Sequence, residues 1–372
     1  MNRPTILIIG TNMMNIYNHR LELINRLISL NMNVSVVAPR GGEEQELQRI
    51  GVKFIDTPVD NRGTNIIHDV RLLCNLIAIL RREKPDVVLT FYTKTNIYGG
   101  LACRITATPY IENITGLGSA LSGKGLLQQV MIKLYHQAVK AARMVFFQNK
   151  PNQKFFEESN ITVKKSRLLP GSGVSLDRFK PLEYPTTSDV TFIFISRILK
   201  EKGIEEFVEA AKIILQKYPN TKFQVIGPAN EEYIDYLNSA QKQGIIQYYG
   251  KQFDIKPFIR QSHCTVFPSY YAEGMANVLL ESAACARPII TTALPGCGET
   301  VDDNVSGYIV KERDAIDLAA KLKKFILLSN NEKKMMGIMG RKKMEKEFDR
   351  EIVISAYVTE ISAILISNKN NY

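Results

Sequence analysis

Short apolar runs rich in Val and Ile alternate along this chain with segments whose apolar positions recur every three or four residues, and the alternation occurs twice. The first round opens with TILIIG (Thr5 to Gly10) and a helix expected from about Asn18 to Leu30. It continues through NVSVVAP from Asn33, VKFIDT from Val52, a helix from Ile66 to Arg82, DVVLTF from Asp86, YIEN from Tyr110 and MVFFQN from Met144. The second round starts at VTFIFISR (Val190 to Arg197), followed by a helix from Ile204 to Gln216, KFQVIG from Lys222, IQYYG from Ile246, CTVFPS from Cys264 and PIITT from Pro288. Strands apolar at consecutive positions are covered on both faces, which is the mark of parallel sheets in βαβ units. The stretch VSLDRFKPLEYPTTSD, Val174 to Asp189, has prolines and little periodicity, so it separates the rounds. The expectation is an α/β protein of two Rossmann-like, doubly wound domains, 1–175 and 186–348, facing a central cleft. A last helix at about 349–366 is available to pack back on the first domain, and the tail SNKNNY reads as frayed. Ligands of such folds sit at the carboxyl ends of the strands.

The 372 residues exceed what one ordinary core accommodates, and 45% hydrophobic with 23% charged residues is the balance of a globular chain. The longest apolar run, LLCNLIAIL from Leu72, is far shorter than the roughly 18 residues of a membrane span. The start MNRPTILIIG has no cleavage site of small residues, so a cytoplasmic protein is expected. Five cysteines, Cys74, Cys103, Cys264, Cys285 and Cys297, are scattered without metal-ligand spacing, as reduced thiols would be. Charge alters the picture. Residues 1–180 hold 24 Lys and Arg against 13 Asp and Glu, whereas residues 181–372 hold 24 against 24. A basic first half points to an anionic surface or a diphosphate as its partner; no helix-turn-helix, zinc or RNP-like signature accompanies the charge, which speaks against nucleic acid. The segment Leu126 to Arg143, with Lys133, Lys140 and Arg143 among Leu127, Val130, Leu134 and Val139, reads as a docking face or, equally, as core packing with a solvated basic stripe.

Candidate chemistry is concentrated in the second half. Neither IIGTNMMN nor FISRILKEKG carries G-x-G-x-x-G, so hydride chemistry loses its main support. Arg197 ends a strand and Lys202 precedes Gly203 and a helix; two cations at a sheet mouth beside a helix N-terminus suit a diphosphate, though a pair of surface charges reads the same way. In YAEGMANVLLESAACARPIITTALPGCGE, Tyr271 to Glu299, two glutamates stand eight positions apart, Glu273 and Glu281, in a run otherwise apolar. Buried alone they would be costly, so something must face them. With a helix beginning near Met275, eight residues span roughly 12 Å, which matches a nucleotide sugar from hexose to ribose. One carboxylate can hold sugar hydroxyls and the other the ribose, while the amides of Gly274, Met275, Ala276 and Asn277 open the helix toward phosphate. The plainer reading makes Glu281 an exposed helix residue and Glu273 a charge complementing the dipole.

EGMANVLLE resembles the E-x7-E motif of the large retaining GT-B glycosyltransferase family called group 1 or family 4, and SAACARPIITTALPGC is similar to its usual continuation. SRILKEKG, GVSLDRFKP and VSGYIV resemble that family's phosphate-binding segment, interdomain turn and later strand. The resemblance implies metal-independent transfer of a sugar from a UDP-sugar, with retention and without a cofactor. It implies that Arg197 and Lys202 hold the diphosphate, Glu281 the ribose and Glu273 the donor hydroxyls. NIYNHRLELINRLISLNMNVSVVAP and YIENITGLGSAL resemble bacterial enzymes that extend undecaprenyl-diphosphate-linked glycans. Gly10, His19, Arg20, Thr115 and Gly116 would then line the acceptor side, with His19 and Arg20 at the first helix start. The implied partners are a nucleotide sugar, a lipid-linked glycan acceptor and the anionic inner face of the membrane, with no nucleic acid. The chain departs from the family at Thr115, where many members have His, and at Gly298, where many have Arg. A UDP-sugar epimerase and a basic nucleic-acid or membrane-binding module are the competing readings.

Overall fold

The computed structural model describes residues 3–60, 65–117, 121, 125–271 and 273–369; residues 118–120 of the YIENITGLGSAL motif, Ala272 and the tail at 370–372 lie outside these. The chain divides into one unit formed by residues up to Ser172 together with those from Glu351 onward, and a second formed by Gly173–Arg350.

The first unit holds a parallel sheet of strands β1 (Thr5–Ile9), β2 (Asn33–Ala38), β3 (Lys53–Asp56), β4 (Val87–Phe91), β5 (Tyr110–Ile114), β6 (Met144–Phe147) and β7 (Ser166–Leu168), ordered 3-2-1-4-5-6-7. Ile6 and Ile8 of β1 point to one apolar cluster and Leu7 and Ile9 to the other, which is why the strand is apolar throughout. β7 is absent from the sequence-based expectation because its three residues are all exposed and too few to show a period. The order reverses between β1 and β4, so the crevice of this unit opens beside Gly10.

The first helix runs Met13–Ser29, five residues earlier than its apolar pattern suggests. Asn12 is the cause: its side chain accepts from the Asn15 amide at 3.1 Å and starts the helix. His19 and Arg20 consequently stand in the second turn rather than at the helix start. The helix Arg350–Lys369 continues past the expected end. By length and composition alone it could cross a membrane. Its Val353, Ile354, Ala356, Tyr357, Ile361 and Ile364 are nevertheless buried in the first unit's core, with Tyr357 set between Phe91 and Phe146 and its hydroxyl on Asn113 Oδ1. The helix Leu126–Val139 divides lengthwise: Tyr135, Ala138 and Val139 are core, while Leu126, Leu127 and Val130 are exposed. Lys140 and Arg143 follow at the amino end of β6, so they lie at the opposite end of the helix from those exposed residues.

The second unit repeats the plan with β8 (Thr191–Ile195), β9 (Lys222–Ile226), β10 (Gln247–Tyr248), β11 (Cys264–Phe267), β12 (Ile289–Thr292) and β13 (Gly307–Val310), parallel and ordered 10-9-8-11-12-13. Arg287, fully buried, donates to the carbonyls of Leu182, Glu183, Ile259, Arg260, Cys285 and Ala286 and so fastens the incoming chain to this unit. Burial lowers its guanidinium to about 10, and the satisfied donors offset that cost. Gly227 ends β9 at φ +146°, where a Cβ would lie 1.6 Å from the Ser196 carbonyl oxygen. Replacing Gly227 by Ala is expected to destabilise this unit by about 1–3 kcal/mol. Hydrogen exchange should show faster opening at the β8 and β9 amides with β1 and β4 unaffected; unchanged exchange would refute the crowding.

Candidate active site

In the second unit the strand order reverses between β8 and β11, and the site residues gather at the carboxyl ends of those two strands. Beyond β8, the Ser196 amide donates to Ile226 O at 3.0 Å and the Ile198 amide to Pro228 O at 2.9 Å, which holds the exposed Arg197 between them. A 3-10 turn at Lys200–Lys202 follows. Gly203 closes it at φ +80°, where a side chain would strike the Pro268 carbonyl, and begins the helix Ile204–Leu215. This tight approach buries Lys202. Its ammonium lies 4.6 Å from the centre of the Tyr271 ring and pairs with Glu273 Oε1. The loop after β11 is tied to the same turn, with the Tyr270 amide and Ser269 Oγ both donating to Glu201 O at 2.9 and 3.2 Å. An ammonium withdrawn from water needs such a carboxylate partner.

Glu273 donates its own amide to Pro295 O at 3.1 Å, and the Ala276 amide donates to Gly296 O at 2.8 Å. The helix therefore begins at Asn277 rather than Met275 and runs to Ala284. Of the four amides expected to face phosphate, that of Ala276 is already engaged, because the loop at Pro295 and Gly296 braces this turn. Gly274 and Met275 lie in the loop between Glu273 and the helix, and Asn277 is its first residue. Thr265 and Ser282 hydroxyls, 2.9 Å apart, seat the helix on β11. Glu281, one helical position before Ser282, is half-buried. Burial raises its carboxyl to about 7, with Arg178 and Arg350 pulling it partway back. Both glutamates thus face cations: Glu273 faces Lys202, and Glu281 faces two arginines that sequence reasoning missed. The SLDRF turn carried a signal for Arg178 alone, and no motif of the sequence contains Arg350. A Cβ on Gly298 would lie 3.0 Å from the Ala293 carbonyl oxygen, a tight contact.

In the first unit Gly10, Thr115 and Gly116 follow the carboxyl ends of β1 and β5. A Cβ on Gly10 would meet Ile16 Cδ1 at 2.7 Å, whereas Gly116 faces open space. Thr93 Oγ1 donates toward the Gly116 and Leu117 carbonyls at 3.5 and 3.4 Å. His19 is half-buried. Arg20 is buried, its guanidinium 4.3 Å over the Phe91 ring with Nη1 donating to His19 O. Beneath this crevice runs a polar network unanticipated from the sequence. Thr90 Oγ1 bonds Asn96 Oδ1 at 2.8 Å, Asn96 Nδ2 bonds Asn113 O at 2.8 Å, and Asn113 Nδ2 bonds Thr90 O at 2.9 Å. It stiffens the ends of β4 and β5.

Two parallel-sheet α/β units, each with its crevice at a strand-order reversal, place the chain in the GT-B class, and solved structures of that class superpose on it. HepE of Anabaena, crystallised in complex with UDP and glucose, matches with a TM-score of 0.79 at 15% identity over 97% of this chain and 100% of that one. A glycosyltransferase of Rickettsia africae matches with a TM-score of 0.81 at 19% identity over 98% and 99%. Residues 178–343 match the family model of group 1 glycosyl transferases and residues 6–149 that of glycosyl transferase 4-like domains. The chain thus carries a group 1 glycosyl transferase domain preceded by a glycosyl transferase 4-like domain. Among its curated relatives is the N,N'-diacetylbacillosaminyl-diphospho-undecaprenol alpha-1,3-N-acetylgalactosaminyltransferase of Campylobacter jejuni, 26% identical over 92% of this chain and 94% of that protein. The UDP-Gal:alpha-D-GlcNAc-diphosphoundecaprenol alpha-1,3-galactosyltransferase of Escherichia coli is 24% identical over 76% and 77%. The capsular polysaccharide glycosyltransferase CapM of Staphylococcus aureus is 28% identical over 87% and 88%.

The raised Glu281 carboxyl fixes the sign of a pH effect. A folded-state value above the ordinary 4.5 means that its stabilising contribution is complete below about 4.5 and is lost as pH rises through about 7. Wild-type stability relative to Glu281→Gln should therefore fall across that window in urea unfolding. A difference that does not change with pH would show an ordinary carboxyl.

Proposed function

We propose that this chain is a retaining, metal-independent hexosyltransferase. It would move a hexose or N-acetylhexosamine, of the galactose or N-acetylgalactosamine type, from a UDP-sugar to an undecaprenyl-diphosphate-linked glycan in bacterial surface polysaccharide or glycoprotein glycan synthesis. The observation that carries this reading is the buried Lys202–Glu273 pair at the strand-order reversal of the second unit, with exposed Arg197 on the neighbouring strand end. The relatives whose names specify undecaprenol-linked acceptors support the acceptor class.

On this reading the arriving diphosphate meets Arg197 and draws Lys202 toward its oxygens, which frees Glu273 to accept hydrogen bonds from donor hydroxyls. Glu281, ionised, accepts from the ribose. The bond from the anomeric carbon to the β-phosphate oxygen breaks while the acceptor oxygen bonds to the same face, and the acceptor proton passes to the departing phosphate oxygen. No side-chain nucleophile is required, so Thr115 in place of the family's frequent His leaves the step intact. The basic first half would hold the enzyme peripherally at the cytoplasmic face of the cell membrane, where such acceptors are displayed.

Glu273→Gln should abolish turnover while UDP still raises the melting temperature, because the nucleotide is held elsewhere; loss of UDP binding in that variant would refute the division of roles. Glu281→Ala should raise the donor KM more than it lowers kcat, as removal of uniform binding does. A pure kcat defect would take Glu281 off the ribose. An NMR time course with UDP-sugar alone separates transfer from epimerisation: isomerised donor accumulating without acceptor would overturn the transferase reading.

A further inference from the structure

Two clusters of large apolar side chains stand exposed on the first unit. Ile66, Ile67 and Val70, at 76%, 75% and 53% exposure, form the first turn and a half of the helix Ile66–Glu83. Leu126, Leu127 and Val130, at 77%, 50% and 44%, do the same for the helix Leu126–Val139. The two helices flank the helix Thr93–Ile105 on one face of the sheet. Each leads into the next strand, β4 and β6, at that strand's amino end, so in a parallel sheet both helix starts lie at the carboxyl-end edge. That edge also carries Gly10, Thr115 and Gly116. Burying such residues is worth more than exposing them, and six at one edge exceed the scattered apolar residues of an ordinary surface.

Charge selects the occupant. No Asp or Glu occurs between Glu112 and Glu157, and in that stretch Lys124 precedes and Lys133 follows the exposed Leu126, Leu127 and Val130. The carboxylate in the first turn of the helix Ile66–Glu83, Asp69, is turned inward onto Lys94 at 2.8 Å and the Tyr98 hydroxyl at 2.9 Å, so it does not confront an anionic surface. Asp60 faces His68 at 3.9 Å. Arg71 and Lys133 are exposed on the same two helices. Apolar side chains able to enter a headgroup layer, with cations beside them, suit acidic phospholipid better than a protein face.

We propose that this edge docks on an acidic bilayer through Ile66, Ile67, Leu126 and Leu127, with Val70 and Val130 behind them, and so presents the carboxyl-end crevice of the first unit to the membrane plane. This rests on the lipid-linked acceptor read above, since an acceptor anchored in a bilayer would deliver its diphosphate to that edge. It relocates the basic contact: Lys140 and Arg143, at the opposite end of the sheet, take no part.

The test is co-sedimentation with phosphatidylglycerol-containing and pure phosphatidylcholine vesicles. The parent protein should be retained by the acidic vesicles. The variant with Ile66, Ile67, Leu126 and Leu127 all changed to Ser should lose about tenfold or more in retention. Lys140→Gln with Arg143→Gln should be retained like the parent. Stabilisation by UDP and transfer to a short water-soluble diphosphate acceptor should persist in the serine variant, which shows an intact fold and keeps the result separate from the transferase reading itself. Retention of the serine variant equal to the parent's would overturn the proposal, as would a parent that ignores acidic vesicles. Concentration-dependent self-association that the serine changes abolish, without vesicle binding, would assign the face to a second copy of the chain and overturn it equally.

Discussion

A lysine buried at the mouth of a parallel sheet constrains the whole second unit. Lys202 is brought there by a 3-10 turn that only a glycine at 203 can close, and once there its charge must be met. Glu273 meets it from the loop after β11, so two segments seventy-one residues apart in sequence are locked at the point where the sheet order reverses. The surrounding contacts serve that lock: Glu201 O takes two donors from the Ser269 to Tyr271 loop, and Pro295 and Gly296 take the Glu273 and Ala276 amides. A pair this enclosed is strong only while both partners are present, and losing either leaves an uncompensated charge. In a transferase the same property makes the pair exchangeable, because an incoming diphosphate supplies the lysine with another anion as the carboxylate turns to hydroxyls.

The other glutamate of the E-x7-E spacing lives under different physics. Among the described residues no ammonium pairs with Glu281 as Lys202 does with Glu273; burial raises its carboxyl to about 7 and two guanidiniums pull against that. One of them, Arg350, donates to Gly173 O, and these two residues are the first and last of the second unit. Val174 and Asp349 also pair there, so the chain enters and leaves the unit through one bonded junction. The electrostatics of the ribose position are thus set partly by where the chain crosses, not only by the helix that carries the carboxylate.

The first unit distributes its apolar residues unevenly for a comparable reason. Its core clusters take one side of each helix, but the helix Leu126–Val139 sinks only its second half into them. The same turns that would be buried in a closed globule are left at the strand-carboxyl edge, and Asp69, which could have made that edge acidic, is spent inward on Lys94 and Tyr98.

By itself the sequence determined the two rounds of parallel strands, since residues such as Ile6 to Ile9 must be apolar at every position to be covered from both sides, and no other arrangement buries them. It also determined that Glu273 and Glu281 had to be faced, because a carboxylate in an apolar run is costly alone. Tertiary structure decided what faces them, since neither Lys202 nor Arg350 is near its partner in the chain. It decided where the first helix starts, through one Asn12 side chain whose cap outweighs the apolar period, and it set Arg20 over the Phe91 ring. It assigned the helix Arg350–Lys369, apolar enough to read otherwise, to the first unit's core, with Tyr357 bonded to Asn113. Periodicity records how much of a segment must be buried. Only the packed fold supplies the neighbours against which it is buried, and with them the charge and polarity of the site.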